Sequence, residues 1–213
     1  MLKEPLIIPG GKKSMNLVRL IEEAAQKFAE NEAMICGNQR VNYNQLNCSV
    51  NAVAYLLQQS GIKKGDKVAV MLPNIPEFVY CYFATVKLGA VVVPLNTFST
   101  AYELSYLLEN SDAKALITFE GARKRYEEIK DRLSSCKKCI TVDAQDPEAP
   151  FKKALAGGQF SNPAIPVDPA DPAAMIYTSG LTGKPLGAVL THHNLYSQSP
   201  LINELANITA RDK

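Results

Sequence analysis

The regular alternation of predicted strands and helices between residues 66 and 142 is the feature that most constrains the fold. Four short apolar strands are predicted at residues 68–72, 90–95, 115–119 and 139–142, with segments of helical periodicity between them. The run Ala90-Val-Val-Val-Pro-Leu95 is apolar at consecutive positions, which is typical of a strand buried on both faces. The pattern predicts an α/β fold: a parallel β-sheet flanked by helices, with right-handed crossovers.

The segments on either side of this region are predicted from periodicity and turn residues. Two amphipathic helices begin near Asn16 and Asn44, separated by a small hairpin at residues 33–43. Residues 143–172 are rich in proline, aspartate, alanine and glycine, which indicates a surface connector. We therefore divide the chain into leading helices and hairpin (1–62), alternating sheet region (63–143), connector (144–172) and a final hairpin with its following helix (173–213).

A glycine-rich segment of the final hairpin has the composition of an anion-binding loop. Apolar runs at residues 173–177 and up to Thr191 predict two strands. The ten residues between the strands, 178–187, contain three glycines, three hydroxyl side chains and one lysine. Glycines let backbone N–H groups turn toward a ligand, hydroxyls donate to phosphate oxygens, and lysine adds positive charge. A strand, a phosphate-binding loop and a second strand are predicted.

A hairpin loop without a ligand is the alternative interpretation of this segment. The loop has two successive glycine-containing turns, Ser179-Gly180 and Thr182-Gly183, where an ordinary hairpin needs one, and its only charge is positive. It is not a Walker A loop, because only two residues separate Gly180 from Gly183 and because Pro185 follows Lys184. We therefore favour phosphate binding by a different motif.

The string Tyr177-Thr-Ser-Gly-Leu-Thr-Gly-Lys-Pro-Leu-Gly187 resembles the phosphate-loop signature of the AMP-forming adenylating enzymes. This superfamily contains acyl-CoA synthetases, luciferases and peptide-synthetase adenylation domains, and its usual signature is Tyr-Thr-Ser-Gly-Thr-Thr-Gly-x-Pro-Lys-Gly. The chain departs from that signature at Leu181, where a hydroxyl residue is usual, and at Leu186, where lysine is usual. Residues 43–46, 68–78, 87–96 and 103–112 also resemble the leading segments of acyl-CoA synthetases, in the same order.

The resemblance implies the N-terminal part of an ATP-dependent, AMP-forming acyl-CoA synthetase. Such enzymes join a carboxylic acid to ATP, release pyrophosphate, and transfer the acyl group from the adenylate to coenzyme A, with Mg²⁺ as cofactor. A fatty acid is the leading substrate hypothesis. The alternatives are an aryl-acid CoA ligase, an adenylation enzyme that loads a carrier protein, and a non-catalytic nucleotide-binding member of the family.

Carried over position by position, the resemblance implies an ATP- and pyrophosphate-binding set in the loop. The set consists of Thr178, Ser179, Gly180, Leu181, Thr182, Gly183 and Lys184. No catalytic residue is expected in the chain, since the family's acid pocket, magnesium-binding glutamate and catalytic lysine come later in its sequences. We therefore expect an inactive fragment. Lys184 either replaces the usual lysine at position 186 or leaves phosphate binding weaker.

Composition limits the binding partners and the cellular compartments that can be predicted for the protein. The formal net charge is +2, and the longest basic cluster, Arg123-Lys-Arg125, is interpreted as a solvated helix face, so nucleic acid is not predicted as a partner. Five cysteines, an odd number, indicate a reducing compartment, and Cys136-Lys-Lys-Cys139 lacks the second ligand pair of a zinc site. No apolar run approaches the roughly 20 residues of a membrane span, so a cytoplasmic protein is predicted, with peripheral membrane contact left open.

Two further expectations concern the ends of the chain. His192 and Asn194 are interpreted as boundary and capping residues of a helix that Pro200 breaks or bends. The resemblance also implies that the leading helices pack on later parts of a longer chain. The apolar faces at Leu17, Leu20 and Phe28 and at residues 50–57 are therefore expected to lack cover and to make the fragment self-associate.

Overall fold

The leading part of the chain is a helix, a hairpin and a second helix. The structure, a computed structural model, describes residues 16–158, 160–178 and 184–206. The leading elements are α1 (Leu17–Lys27), the antiparallel strands β1 (Glu32–Cys36) and β2 (Gln39–Asn42), and α2 (Tyr43–Gln59). Both helices begin after an asparagine whose side chain accepts a backbone N–H of the first turn, Asn16 in α1 and Asn42 in α2.

The alternating region forms the predicted parallel sheet. Its elements are β3 (Lys67–Met71), α3 (Pro76–Lys87), β4 (Val91–Pro94), α4 (Ala101–Ser111), β5 (Ala113–Thr118), α5 (Glu120–Glu127) and β6 (Lys138–Thr141). β3 pairs in parallel with β4 and β5, and β5 pairs in parallel with β6. Helical periodicity between β5 and β6 covers residues 122–133 and predicts one helix there, but α5 ends at Glu127 and a 3-10 turn follows at Lys130–Arg132. Ile129 and Leu133 continue the helical spacing and are buried, so periodicity does not reveal this change of helix type.

The rest of the chain adds a short helix, a hairpin and two final helices. These elements are α6 (Pro150–Ala156), β7 (Pro172–Thr178), β8 (Leu186–Thr191), α7 (His192–Tyr196) and α8 (Gln198–Leu205). α6 lies within the stretch predicted as a surface connector, and its Phe151 is 1% exposed in the hydrophobic core. The predicted break in the last helix occurs at Ser197, which places Pro200 in the first turn of α8.

The six-stranded sheet has the order β6-β5-β3-β4-β7-β8, and only β8 is antiparallel to its neighbour. Successive residues of β3 face opposite layers, since Val68 and Val70 pack with the core under α1, α2 and α3, whereas Ala69 and Met71 pack with the core under α4 and α5. No helix among the described residues combines the length and the hydropathy that crossing a membrane requires.

The expectation that the leading helices lack cover is wrong for Leu17 and for the inner face of α2, whereas Leu20 and Phe28 are half-buried. Leu17 is buried, and so are Val50, Val53 and Leu57 on the inner face of α2. These side chains pack on the sheet and on α3 within the chain itself. Self-association of the protein stays a prediction.

Candidate functional site

β7 and β8 form the antiparallel hairpin predicted around the glycine-rich loop. The ladder continues to the mouth of the loop, where Tyr177 pairs with Gly187 and Thr178 pairs with Leu186. β7 is also parallel to β4, so its carboxyl end lies at the same edge of the sheet as the carboxyl ends of β3 and β4. Ligands of open α/β sheets bind at this edge. The loop therefore leaves the sheet where a ligand site is expected.

Two of the seven predicted loop residues, Thr178 and Lys184, are described by the structure, and both are exposed. The other five lie outside the described residues: Ser179, Gly180, Leu181, Thr182 and Gly183. A hydroxyl group and an ammonium group thus stand at the two ends of the loop, within reach of solvent. Hydroxyl and ammonium donors fit an oxyanion such as a polyphosphate.

Helix α4 is hydrogen-bonded to the hairpin on both sides of the loop. The Tyr106 hydroxyl donates to the Pro185 carbonyl at 3.1 Å, and the Tyr177 hydroxyl donates to Asn110 Oδ1 at 2.7 Å. Tyr106 and Asn110 are four residues apart, so they lie on one face of α4. Burial raises the pKa of Tyr177, which keeps its hydroxyl protonated and able to donate. The sequence contained no separate signal for these contacts, because they join residues 67 and 79 positions apart.

The connection between β4 and α4 is fixed at the same edge of the sheet. Arg125 Nη1 donates to the carbonyl oxygens of Thr97 and Ser99 at 2.5 and 3.0 Å. Thr100 and Glu103 form a capping box that begins α4. The interpretation of the basic triplet as a solvated face is therefore wrong for Arg125. Its guanidinium presents several donors, and it is positioned to satisfy two loop carbonyls at once.

Leu186 and Gly187 are the first two residues of β8, where the chain returns from the loop to the sheet. The Leu186 side chain is 58% exposed and lies across the ladder from Thr178. Gly187 permits a close approach: a Cβ there would lie 3.0 Å from Met175 Sδ and 3.2 Å from Tyr177 Cζ. A lysine at position 186 would therefore reach solvent beside Thr178, whereas a side chain at position 187 would press on the tyrosine that contacts α4.

His192 and Asn194 serve as helix-boundary residues, as predicted. Thr191 is the N-cap of α7, and Asn194 completes a capping box with it. His192 is the first helical residue and is fully buried, and its Nδ1 accepts the backbone N–H of Leu17 at 3.3 Å. Burial lowers the pKa of His192 to about 4, so the ring is neutral at physiological pH.

The described residues contain no group of three or more His, Cys, Asp or Glu side chains that could hold a metal ion. Burial raises the pKa of Cys136 to about 12 and that of Cys139 to about 11. Both thiols are therefore protonated at physiological pH, whereas thiolate is the form that binds metals and acts as a nucleophile.

The chain is similar in sequence and fold to known CoA ligases and acyl CoA synthetases. The crotonobetaine/carnitine–CoA ligase of Escherichia coli is 33% identical over 192 residues, which are 84% of this chain and 37% of that protein. A solved fatty acyl CoA synthetase of Mycobacterium tuberculosis is 29% identical, with a TM-score of 0.76 over 85% of this chain and 36% of that one. A long-chain-fatty-acid-CoA ligase of Archaeoglobus fulgidus superposes on 100% of this chain and 43% of its own, with a TM-score of 0.84; at 24% identity it shows the fold alone.

These comparisons identify the family of the chain and the share of its relatives that the chain spans. It spans only about 37% of the length of the curated relatives that it matches. The model of the family described as AMP-binding enzyme matches residues 21–212, almost the whole sequence. The chain is therefore a member of the AMP-binding enzyme family.

Proposed function

We propose that this chain is the phosphate-binding part of an ATP-dependent, AMP-forming acid–CoA ligase. The observation that carries the proposal is the β7–β8 hairpin at the carboxyl edge of the sheet, with Thr178 and Lys184 at the ends of its loop. Helix α4 is hydrogen-bonded to Tyr177 of β7 and to Pro185, which precedes β8. Family membership supports ATP and coenzyme A as the substrates that accompany the acid.

The proposed role of residues 178–184 is to hold the pyrophosphate side of ATP. When an acid attacks the α-phosphate, negative charge accumulates on the departing pyrophosphate, and fixed donors stabilise that charge. Thr178 would supply a hydroxyl donor and Lys184 a positive charge, which compensates for the leucine at position 186. Mg²⁺ bound with ATP would neutralise part of the phosphate charge. We assign none of the described residues as its ligand.

A fatty acid is the proposed acid. The similarity to the M. tuberculosis fatty acyl CoA synthetase supports this choice. The similarity to crotonobetaine/carnitine–CoA ligase favours a second candidate, a small polar acid. Aryl acids, carrier-protein loading and nucleotide binding without turnover are further outcomes that a substrate panel would separate. We also propose a cytoplasmic location, with peripheral membrane contact if the acid is a lipid.

Removal of the Lys184 charge is expected to weaken pyrophosphate binding by the 213-residue protein. A charge-assisted hydrogen bond contributes about 1.5–3 kcal/mol, so Lys184→Ala should raise the dissociation constant roughly tenfold or more in a calorimetric titration with pyrophosphate. Leu186→Lys should lower the dissociation constant, because the new ammonium group would lie beside Thr178. Lys63→Ala is the matched control, since Lys63 is exposed before β3, at the amino edge of the sheet. Equal affinity of wild type and Lys184→Ala would contradict the proposed site.

Activity is tested separately from binding. We expect no pyrophosphate release from the 213-residue protein with ATP, Mg²⁺ and a fatty acid, because we propose that the acid pocket and the catalytic groups belong to the part of the relatives that this chain does not span. In a protein that carries this chain at the relatives' length, fatty acids should release pyrophosphate faster than carnitine or aryl acids. Release by the 213-residue protein itself would overturn the first expectation.

A further inference from the structure

Helix α4 is fixed to the body of the protein by contacts that do not involve the hairpin. Its side chains Leu104 and Leu108 are fully buried in the core that includes β3 and β5. Near the end of the helix, the Glu109 carboxylate accepts the backbone N–H of Ser134 at 2.6 Å and the Ser134 hydroxyl at 2.7 Å. At its start, Arg125 holds the connection from β4. The helix therefore offers a fixed surface to any element that bonds to it.

At the exit of the loop, α4 holds the residue next to Lys184. The Tyr106 hydroxyl donates to the carbonyl of Pro185, which directly follows Lys184. Proline has a fixed φ, and the residue before a proline is restricted to extended backbone conformations. The hydrogen bond to Pro185 therefore also restricts the backbone from which the Lys184 ammonium group extends.

At the entry of the loop, the same helix holds the residue next to Thr178. Tyr177 directly precedes Thr178, and its hydroxyl donates to Asn110 Oδ1 at 2.7 Å. The ring of Tyr177 also lies close to Gly187 of β8, where a Cβ would be 3.2 Å from Cζ. Because Tyr106 and Asn110 lie one turn apart on α4, a single helix restrains both ends of the loop.

From these contacts we infer that Tyr106 and Asn110 are positioning residues of the proposed pyrophosphate site. Through them, α4 restrains the distance between Thr178 and Lys184 before a ligand binds. A ligand that meets donors already in place loses less free energy to ordering than a ligand that must order them itself. The inference rests on the proposed function, since it concerns affinity for pyrophosphate, and neither positioning residue needs to touch the ligand.

Calorimetric titration of the 213-residue protein with pyrophosphate tests the inference. Tyr106→Phe and Asn110→Ala each remove one hydrogen bond to the hairpin and should raise the dissociation constant about three- to tenfold. Tyr102→Phe is the matched control on the same helix and should leave the dissociation constant unchanged, because Tyr102 is 85% exposed. Lys87→Met is the control for stability: it removes a buried ion pair from the opposite layer of the sheet and should lower stability without changing the affinity.

A double variant shows whether Tyr106 acts through Lys184. If it does, Tyr106→Phe should change the dissociation constant by less than about twofold when Lys184→Ala is already present. A merely structural role of Tyr106 would give the same fold-change with and without Lys184. Equal fold-changes in the two backgrounds would therefore overturn the assignment of Tyr106 as a positioning residue.

The outcomes separate this inference from the proposed function. Absence of pyrophosphate binding by wild type would overturn both. Binding by wild type with unchanged affinity in Tyr106→Phe and in Asn110→Ala would overturn the inference alone. A loss of affinity in Lys87→Met as large as that in Tyr106→Phe would also overturn it, because affinity would then follow global stability. Circular dichroism would show whether each variant folds, and the two variants act at opposite ends of the loop, so either one suffices for the test.

Discussion

At the scale of single residues, His192 shows how burial changes the chemistry of a side chain. Its ring is fully buried at the junction of α1 and α7, and its Nε2 has no hydrogen-bond partner among the described residues. Desolvation lowers the pKa of His192 from 6.5 to about 4, and the nearby Asp171 carboxylate offsets only part of that effect. Between about pH 4 and pH 6.5, the folded protein therefore keeps this histidine neutral, whereas the unfolded chain would protonate it.

Acidification should destabilise the protein through this residue. Because the pKa is lower in the folded state, the stability linked to His192 is present above about pH 6.5 and is lost as the pH falls toward 4. Between about pH 7 and pH 5 the loss should be about 2 kcal/mol in the free energy of unfolding, measured with urea.

The variant His192→Asn provides the control for this pH effect. Its side-chain oxygen can still accept the Leu17 N–H but does not titrate. Its stability should be lower than that of wild type near pH 7, since the smaller side chain leaves a cavity, and should fall much less between pH 7 and pH 5. The same pH slope in both proteins would show that His192 is not the titrating group.

At this scale, the sequence predicted which residues border the loop but not what surrounds them. Loop composition and the family resemblance single out Thr178 and Lys184 as phosphate-binding residues; both are exposed, and their role stays a prediction. The basic triplet predicts that Arg125 lies in solvent, yet its guanidinium donates to two carbonyls in the connection between β4 and α4. Contacts between distant parts of the chain leave no periodic signal in either part.

At the scale of elements, the position of the β7–β8 hairpin depends on α4. Tyr106 and Asn110 bond to opposite sides of the loop, while the helix is itself anchored by a capping box at Thr100 and by Asp112 in the left-handed conformation at its end. The loop therefore extends from two paired strands, and α4 bonds to β7 and to the residue that precedes β8. Such support limits the movement of the loop's ends before a ligand binds.

Removal of the Tyr106 hydroxyl should loosen the hairpin more than it destabilises the fold. Tyr106→Phe deletes one hydrogen bond and should lower the free energy of unfolding by about 1 kcal/mol. Hydrogen exchange of the β8 amides should rise several-fold, because the exit of the loop loses its contact with α4.

The same helix provides the matched control, Tyr102→Phe. Tyr102 lies one turn before Tyr106 and is 85% exposed, so loss of its hydroxyl should change neither quantity. Unaltered β8 exchange in Tyr106→Phe, or an equal increase in Tyr102→Phe, would show that α4 does not position the hairpin.

At the scale of the whole molecule, a buried lysine joins segments that are far apart in sequence. Lys87, at the end of α3, is 2% exposed, and its Nζ donates to Asn47 Oδ1 at 3.1 Å and to Asn51 Oδ1 at 2.7 Å and lies 3.1 Å from the Glu22 carboxylate. Asn51 also donates to the carbonyl of Phe160 in the connector that leads to β7. Burial lowers the pKa of Lys87, and Glu22 opposes this shift.

Loss of Lys87 should lower the free energy of unfolding more than loss of a surface ion pair does. Lys87→Met removes the ammonium donor to Asn47, Asn51 and Glu22, so we expect the free energy of unfolding to fall by about 2–3 kcal/mol. Glu22 is partly solvated and keeps Asn162 Nδ2 as a donor, which holds the cost below that of a fully buried pair. The double variant Lys87→Met with Glu22→Gln should recover part of the loss.

The exposed pair Lys153 and Glu148 serves for comparison. Lys153→Met should leave the free energy of unfolding nearly unchanged, because exposed ion pairs contribute little. Equal losses in Lys87→Met and Lys153→Met, or no recovery in the double variant, would contradict a buried network that joins α1, α2 and α3.

The sequence by itself determined the local structure and the composition of the loop. Apolar periodicity, helix caps and turn residues predicted the parallel sheet, most helices and the hairpin, because these signals act between residues close in the chain. Only the tertiary structure decided which elements pack together and which residues they bury. It buried Phe151 in a stretch rich in turn residues, covered Leu17 and the inner face of α2, placed α4 against the hairpin and left β8 at the edge of the described sheet. Burial depends on which elements meet, and that is a property of the assembled fold and not of any single segment.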